Sequence, residues 1–284
     1  MLMFGAKFKK IRNIIVVIVL AIALIHIIHA LTLDRIIQYK EISFYSQNLG
    51  PELCGYRIAF ITDSHFISEK QNWEVVNELN NRELDLVVLG GDFAWEVDVM
   101  KRTVEILSYI ESTAGIYGVE GNHDSYRHLF AAMEAHGITP LSNGGVHIRE
   151  GFFLAGVEDL WNRNPNIKKA IEDSNPDDFI LLVAHNPDVT MKQDTSMIDL
   201  TLSGHTHGGH ISFFGIWAPY FTMSRGITAY GQRFKSGFAL SKDDTPVFVS
   251  RGAGAYRLGV YLPRVFARPQ VVIITLVHED KERN

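Results

Sequence analysis

Residues 56–65 read YRIAFITDSH, an apolar run that ends in an acidic residue and a histidine. The run at 56–62 is rich in β-branched and aromatic residues and therefore predicts a buried strand. Asp63 and His65 follow it two positions apart, so in extended chain both side chains point to the same side. The segment thus predicts a strand that carries two polar side chains at its carboxyl end.

The same arrangement, an apolar run followed by polar residues, occurs four more times along the chain. Apolar runs at 84–89, 115–119, 179–183 and 199–202 lead into Gly90-Gly91-Asp92, Gly121-Asn122-His123-Asp124, Ala184-His185 and Ser203-Gly204-His205-Thr206-His207. Helical patterns at about 72–81, 97–111 and 126–136 lie between the runs, which predicts an α/β fold with parallel strands. Further runs at 152–157, 246–250 and 271–277 mostly lack intervening helices and predict a second, more antiparallel sheet. Since open α/β sheets place their sites at the carboxyl ends of strands, we expect the five polar turns to meet.

These turns offer imidazole nitrogens, carboxylate oxygens and one amide oxygen. The candidate metal ligands are Asp63, His65, Asp92, Asn122, His185, His205 and His207. A mixed nitrogen and oxygen set suits Mn, Fe, Zn or Mg. Two metals about 3.5–4 Å apart stabilise both the attacking and the leaving oxygen of phosphoryl transfer. The single cysteine, Cys54, excludes an intramolecular disulfide and a multi-cysteine zinc site.

At these residues the chain resembles the calcineurin-like metallophosphoesterases. The family pattern D-x-H, G-D, G-N-H-D, a single H and G-H-x-H occurs here in order, and the resemblance covers about residues 56–276. It implies a β-sandwich of two mixed sheets flanked by helices (αββα). It also implies two divalent ions, with Mn favoured; one would bind Asp63, His65, Asp92 and His207, and the other Asp92, Asn122, His185 and His205. His123 is implied as the catalytic histidine that stabilises the transition state or protonates the leaving oxygen, with Asp124 orienting its ring.

The chain is most similar to a membrane-associated bacterial branch that has an N-terminal hydrophobic segment and the sequence SGHTHGG, here at residues 203–209. That branch includes phosphodiesterases and the UDP-2,3-diacylglucosamine hydrolases of lipid A synthesis. His210 departs from the branch, where a glutamine is expected, and is a candidate substrate contact. Arg251 precedes Gly252-Ala253-Gly254 after a predicted strand and is a candidate phosphate contact. Phe214 and Trp217 either pack in the second sheet, or line an apolar groove beside the lipid or dip into the bilayer.

Residues 14–33 form an apolar run without formal charge, long enough as a helix to span about 30 Å of bilayer core. The basic residues Lys7, Lys9, Lys10 and Arg12 precede it. This asymmetry predicts a cytoplasmic segment at 1–13, a transmembrane signal-anchor at 14–33, a juxtamembrane lead-in at 34–55 and one metallophosphoesterase domain at 56–284 outside the cell membrane. A cleaved signal peptide, a buried core helix and peripheral attachment on the cytoplasmic face are the alternatives.

The formal net charge of −5 argues against a nucleic-acid partner, and the sequence predicts no protein partner. The expected partners are the membrane and a lipid-linked phospho-substrate, with UDP-2,3-diacylglucosamine as the leading specific candidate. That substrate is met on the cytoplasmic face, which conflicts with the predicted topology. A broad-specificity extracytoplasmic phosphodiesterase or phosphatase on soluble substrates is the main alternative. A protein phosphatase, a nuclease and a non-enzymatic metal-binding scaffold also stay open.

Overall fold

The computed structural model describes residues 2–65, 67–223, 226–254, 257–258, 260–261 and 263–279. Its helices are α1 (Leu2–Thr32), α2 (Glu69–Asn80), α3 (Val97–Leu107), α4 (Tyr126–Ala135), α5 (Ile167–Ala170) and α6 (Tyr220–Met223). Short 3-10 turns lie at Pro51–Leu53, Pro187–Met191, His207–Gly209 and Gly231–Phe234. The strands are β1 (Gln38–Ser46), β2 (Arg57–Ile61), β3 (Leu86–Leu89), β4 (Ile116–Gly118), β5 (Thr139–Pro140), β6 (Gly144–Arg149), β7 (Phe152–Gly156), β8 (Phe179–Val183), β9 (Leu200–Ser203), β10 (Gly237–Leu240), β11 (Pro246–Val249), β12 (Arg257–Leu258), β13 (Val260–Tyr261) and β14 (Gln270–His278).

Helix α1 contains a candidate membrane span of 24 residues, Lys9–Thr32. Its length and composition suffice to cross a bilayer, and in the described part of the chain the apolar side chains of the span are largely exposed. The structure therefore does not support the alternative of a buried core helix, which would pack its apolar surface inside the domain.

The first sheet has the strand order β1-β14-β2-β3-β4-β5. Only β14 and β2 pair antiparallel; the other four pairings are parallel. Helices α2, α3 and α4 follow β2, β3 and β4 as the crossovers that parallel strands require. Strand β1 lies within residues 34–55, for which the sequence predicts a lead-in, and it pairs with β14 over its whole length.

The second sheet has the order β10-β11-β9-β8-β7-β6. Its central pairings are parallel, while β10 with β11 and β6 with β7 are antiparallel. With two antiparallel pairings against one, the second sheet is the more antiparallel of the two, as predicted. The run at 271–277, however, contributes β14 to the first sheet.

Alternate side chains of each central strand enter different cores. Ile58 and Phe60 of β2 pack in the core between the two sheets, and Ala59 and Ile61 pack against the helices that cover the first sheet. Burial on both faces explains why these strands are continuously apolar. On the outer face of the second sheet, Ile167 and Ala170 of α5 pack on β7. The predicted sandwich of two mixed sheets flanked by helices is confirmed, and the carboxyl ends of β2, β3, β4, β8 and β9 face one site.

Candidate metal centre

Backbone hydrogen bonds join the loops that carry the candidate ligands. The amide of Asp63 donates to the carbonyl of Gly91 at 2.9 Å, and the amide of Gly204 donates to the carbonyl of His185 at 3.0 Å. The amide of His205 donates to both carboxylate oxygens of Asp63 at 3.1 Å. Ligands from distant parts of the chain are therefore held together by main-chain contacts.

The structure brings the predicted ligands into two adjacent clusters. One cluster contains Asp63, His65 and His207, and the other contains Asp92, His185 and His205. Within each cluster one possible ligand atom of every residue lies within 4.8 Å of the others, and all six residues are buried. Asn122 lines the same cavity as Asp92 and His205. Buried imidazole and carboxylate groups in this arrangement form a donor set suited to divalent metals.

Asp92 lies between the two clusters. Its Oδ2 atom is 3.2 Å from Nε2 of His185 and 3.7 Å from Nε2 of His65. Its Oδ1 atom accepts a hydrogen bond of 2.9 Å from the backbone amide of His123. The carboxylate is thus fixed from one side and presents its other oxygen to both clusters, which is the geometry that a bridging ligand needs.

Main-chain carbonyls fix the orientation of two imidazoles. Nδ1 of His185 donates to the carbonyl of Gly90 at 2.7 Å, and Nε2 of His205 donates to the carbonyl of Ile227 at 3.0 Å. A carbonyl oxygen only accepts, so the other ring nitrogen of each neutral histidine carries a lone pair. This outer hydrogen bond is the usual support of a metal-binding histidine.

Arg264 is fully buried behind His207. Its Nη2 atom donates to Nδ1 of His207 at 2.6 Å, while Nε2 of the same ring faces Asp63 Oδ1 at 3.4 Å and His65 Nε2 at 3.2 Å. Because a guanidinium only donates, this contact puts the proton of the neutral ring on Nε2. A metal at Nε2 would have to replace that proton, or the Arg264 contact would have to lengthen.

Burial keeps three of the histidines neutral. It lowers the pKa of His65 to about 4 and that of His205 to about 3. The pKa of His207 is held well below its usual range by burial and by the Arg264 cation. Metal-binding imidazoles must not be protonated to the cation, and burial keeps these three rings uncharged at neutral pH.

The pKa values of Asp63, Asp92 and His185 shift in different directions. Burial raises the pKa of Asp63 to about 6. Burial acts to raise the pKa of Asp92, but His185, His65 and His123 together hold it well below its usual range. Burial likewise disfavours the charged form of His185, but Asp92 raises the pKa of this histidine to about 10. The buried negative charge of Asp92 therefore attracts a cation. Without a metal, the protonated His185 ring supplies that positive charge.

The amide of Asn122 gives an independent test of metal fit. Its Oδ1 atom is buried and has no hydrogen-bond partner among the described residues. A buried acceptor without a partner costs about 1–3 kcal/mol, so its presence needs a reason. Oxygen coordination to a divalent ion supplies one. The residues present therefore fit the two metals that the sequence predicts.

Four of the ligand positions have left-handed backbone conformations. The φ angles are 53° at Asp63, 58° at Asp92, 68° at His205 and 51° at His207. Each such conformation costs a non-glycine residue about 1–3 kcal/mol and persists only where the surroundings impose it. The packed loops therefore hold these four side chains in backbone conformations that they would not adopt by themselves.

Two glycines allow the loops to approach the carboxylates closely. A Cβ atom at Gly121 would lie 2.2 Å from Oδ1 of Asp92, and one at Gly204 would lie 2.3 Å from Oδ2 of Asp63. Such distances are far below van der Waals contact, so only glycine fits at either position.

A cavity of about 560 Å³ opens over the clusters, and His123 forms part of its wall. The His123 ring stacks on Trp95, with centroids 4.7 Å apart and planes at 25°. Burial lowers the pKa of His123. Burial therefore favours the neutral form of the ring at the cavity wall. Its catalytic role stays a prediction.

Asp124 does not orient His123 as the resemblance implies. Its Oδ2 atom accepts from the amides of Asp92 and Gly121 at 2.7 and 2.9 Å, and its Oδ1 atom accepts from the amide of Phe93 at 2.9 Å. These bonds join the loop after β3 to the loop after β4. The residue thus positions the backbone of the bridging Asp92 instead of the histidine ring.

The candidate substrate contacts lie in different places. His210 lines the cavity. The guanidinium of Arg251 donates from Nε to Gln270 at 2.9 Å and from Nη2 to Gln38 at 3.1 Å, so it is engaged outside the cavity lining. Phe214 and Trp217 are 45% and 42% exposed and lie outside that lining as well. The burial of these two rings in the second sheet is therefore not observed.

Sequence reasoning missed three residues of the site. Trp95 stacks on His123, Trp161 packs its edge on His205 at 4.4 Å between centroids, and Arg264 contacts His207. Trp95 follows Asp92 by three positions, so an aromatic residue just after a ligand turn was an available signal. Trp161 and Arg264 carry no such signal, since no candidate ligand stands near them in the sequence.

Comparison with known proteins agrees with this site. The family model described as "Calcineurin-like phosphoesterase" matches residues 56–209. A protein of Helicobacter pylori named "Uncharacterized metallophosphoesterase" is 30% identical, over 85% of this chain and 64% of that protein. The Escherichia coli protein named "Phosphodiesterase YaeI" is 27% identical, over 84% of this chain and 86% of that protein. A "Transmembrane protein with metallophosphoesterase domain" of Danio rerio is 26% identical, over 81% of this chain and 55% of that protein.

The chain thus spans less than two thirds of the length of the Helicobacter pylori relative. The family match, by contrast, covers more than half of this chain and includes every candidate metal ligand from Asp63 to His207. It agrees with the two-sheet fold and with the two clusters of His and Asp side chains. The chain belongs to the calcineurin-like phosphoesterase family.

Proposed function

We propose that the protein is a membrane-anchored, metal-dependent phosphohydrolase that cleaves a phosphodiester or pyrophosphate bond in a lipid-linked substrate. The observation that carries this proposal is the cavity, which joins both ligand clusters to an apolar wall. Its lining includes the ligand candidates Asp92, Asn122, His205 and His207 and also the apolar side chains of Ile211, Pro219, Tyr220 and Ile227. A substrate that carries both a phosphate and an acyl chain matches the polar and the apolar parts of this lining.

The polar side of the cavity is suited to phosphoryl transfer. Two divalent ions, for which Mn²⁺ is our first choice, would polarise the phosphate and stabilise the attacking and leaving oxygens. Asp63 and Asp92 offset two of their four positive charges, which leaves the site attractive to an anionic phosphate. His123 is the residue at the cavity wall that can stabilise the leaving oxygen by a hydrogen bond from its ring N–H, or protonate that oxygen when the ring is an imidazolium.

UDP-2,3-diacylglucosamine is the specific substrate that we put to the test. It has a pyrophosphate for the metals and acyl chains for the apolar wall, and its hydrolysis would give lipid X and UMP. Helix α1 would keep the protein at the membrane where such a lipid resides. The relatives described as transmembrane and as phosphodiesterase lend support to anchoring and to ester chemistry.

One observation favours the alternative of a broad-specificity enzyme for soluble phosphodiesters or phosphomonoesters. Among the described residues that line the cavity there is neither lysine nor arginine. A site that selects a nucleoside diphosphate commonly uses such cations to bind the second phosphate. A substrate with a single phosphate needs no such contact.

A comparison of substrates separates the two functions. The purified full chain is assayed in mixed micelles with UDP-2,3-diacylglucosamine, bis-p-nitrophenyl phosphate and p-nitrophenyl phosphate, with Asp92→Asn as the inactive control. We expect kcat/KM for the lipid to exceed that for either soluble ester by at least about tenfold, since each buried methylene contributes about 0.8 kcal/mol. A preference for the soluble diester would support the alternative, and no metal-dependent turnover of any of them would exclude both.

We further propose that the N-terminus lies in the cytoplasm and the catalytic domain outside. Lys9, Lys10 and Arg12 precede the apolar run at 14–33, and basic residues stay on the cytoplasmic side of a span. External protease on intact cells should then digest the domain. Protection in intact cells, with digestion after lysis, would support peripheral attachment on the cytoplasmic face and would remove the conflict with a cytoplasmic nucleotide-lipid.

A further inference from the structure

Two histidines of α1 contact aromatic side chains of the catalytic domain. The ring of His26 lies 4.9 Å from Phe213, 4.8 Å from Phe214 and 4.8 Å from Phe266, measured between centroids. The ring of His29 stacks on Phe266 at 4.4 Å, and its Nδ1 accepts from the Phe266 amide at 3.3 Å. Nδ1 of His26 donates to the carbonyl of Ile22 within the helix, which reduces the cost of an imidazole in an apolar segment. We call these contacts the helix joint.

Residues 211–217, the aromatic loop, present apolar side chains outward from this joint. Ile216 is 80% exposed, and Phe213, Phe214 and Trp217 are each more than 40% exposed. A soluble protein rarely exposes such a contiguous set without a partner for it.

The backbone of the aromatic loop is nevertheless well satisfied. The amide of Phe213 donates to the carbonyl of Trp217 at 2.7 Å, and the amide of Ser212 donates to the carbonyl of Val265 at 2.8 Å. Nζ of Lys235 donates to the carbonyls of Gly215 and Ile216. These polar groups are paired within the protein and need no hydrogen bonds from water, which lowers the cost of moving the loop into lipid.

The helix joint fixes how deep the loop would lie. His26 stands seven residues before Leu33, the end of the apolar run, which corresponds to about 10 Å along a helix. Interfacial segments bury their apolar side chains about 5–10 Å into the boundary of headgroups and acyl chains. A span that ends near Leu33 therefore brings the aromatic loop to that boundary.

Basic side chains accompany the loop at the same end of α1. Arg35 is exposed just after the helix, Arg268 donates from Nε to the carbonyl of Ile36 at 2.8 Å, and Lys235 contacts the loop. Cations next to an exposed apolar segment suit the anionic headgroups of phospholipids.

From these contacts we propose that the aromatic loop inserts into the lipid bilayer beside α1, so that the metal cavity opens at the level of the lipid headgroups. Ile211 of the loop and Tyr220 just beyond it both line the cavity, so the inserted segment adjoins its mouth. The occupant of this apolar surface is the bilayer, and a second copy of the chain is the competing occupant. The proposal depends on anchoring by α1 and not on the hydrolytic activity.

Depth-dependent quenching tests the insertion directly. The full chain offers one cysteine, Cys54, which is exposed and can be replaced by serine. In this background Ile216→Cys is labelled with the fluorophore NBD and reconstituted into vesicles of phosphatidylcholine and phosphatidylglycerol in equal parts. The matched control is Met197→Cys, which is 55% exposed near the amino end of β9, the opposite end of that strand from the metal ligands.

With phospholipid brominated along the acyl chain, the label at 216 is expected to lose at least about half of its emission, and the label at 197 less than about a tenth. Equal quenching at the two positions would overturn the proposal. So would a label at 216 that is shielded from iodide but not quenched by brominated lipid, because that result indicates a protein partner. Retention of metal by both labelled chains checks that they are folded and needs no activity measurement.

Discussion

Replacement of Gly204 by alanine is the most informative perturbation of the metal centre. The added methyl carbon would lie 2.3 Å from Oδ2 of Asp63 and 2.3 Å from Oγ1 of Thr62. Ordinary contact begins near 3.4 Å, so the carboxylate must move by about 1 Å. Ligand distances at metals are met to within about 0.2 Å, and a displacement of 1 Å at a catalytic site can cost about 100-fold in rate.

We therefore expect Gly204→Ala to lower turnover of bis-p-nitrophenyl phosphate by about 100-fold, or about 2.7 kcal/mol in activation free energy, and to weaken metal binding. The matched control is Gly144→Ala in β6, where a Cβ would meet its nearest atom at 4.0 Å. Metal affinity by calorimetry and melting temperature are measured for both. If Gly204→Ala keeps activity within about twofold of the control, Asp63 does not bind a catalytic metal in this position.

Three further predictions concern residues around the centre. His123→Ala should lower kcat by about 10²–10⁴ with unchanged metal content, because alanine keeps the backbone amide that His123 donates to Asp92; lost metal would refute a purely catalytic role. Trp161→Ala should raise KM more than it lowers kcat, since the ring forms a cavity wall; steady-state kinetics with unchanged KM would exclude substrate contact. Burial raises the pKa of Glu120 to about 7. The folded state therefore binds this proton more tightly than the unfolded state, and stability falls as the pH rises from about 4.5 to 7. Glu120→Gln should add up to about 3 kcal/mol to the free energy of unfolding at pH 8 and little at pH 4, as followed by urea denaturation; an equal change at both would refute the assignment.

The central strands, which pack in the core between the sheets and in the core under the helices, were predictable because each is short, apolar and followed by a polar turn. Residues 179–183 form β8 with the predicted bounds, because a five-residue apolar run that ends in a polar turn has the length of a strand buried on both faces and is too short for a core helix. Strand β1 was missed because Gln38–Ser46 is an edge strand whose side chains are mostly exposed or half-buried, which weakens its apolar signal. Its pairing with β14, more than two hundred residues away, is a tertiary contact that no local pattern encodes.

The grouping of the candidate ligands was predictable for a different reason. Parallel strands of one sheet bring their carboxyl ends to one edge, so Asp63 and Asp92 had to approach one another, whereas His205 joins them through the packing of the second sheet against the first. The contacts that support the ligands were not predictable. Arg264 reaches His207 from a segment 57 residues away, and Asp124 bonds backbone amides where the resemblance implied a histidine ring. Such choices depend on the side-chain geometry that only the packed fold supplies.

The central claim is that two metals share Asp92. Its most direct test is the metal content of the purified full chain after loading with Mn²⁺ and gel filtration, compared with that of Asp92→Asn and assayed in parallel for diester hydrolysis. We expect about two ions per wild-type chain, at most about one per Asp92→Asn chain, and hydrolysis by the wild type alone. An Asp92→Asn chain that keeps two ions and hydrolyses the diester at the wild-type rate would contradict the account.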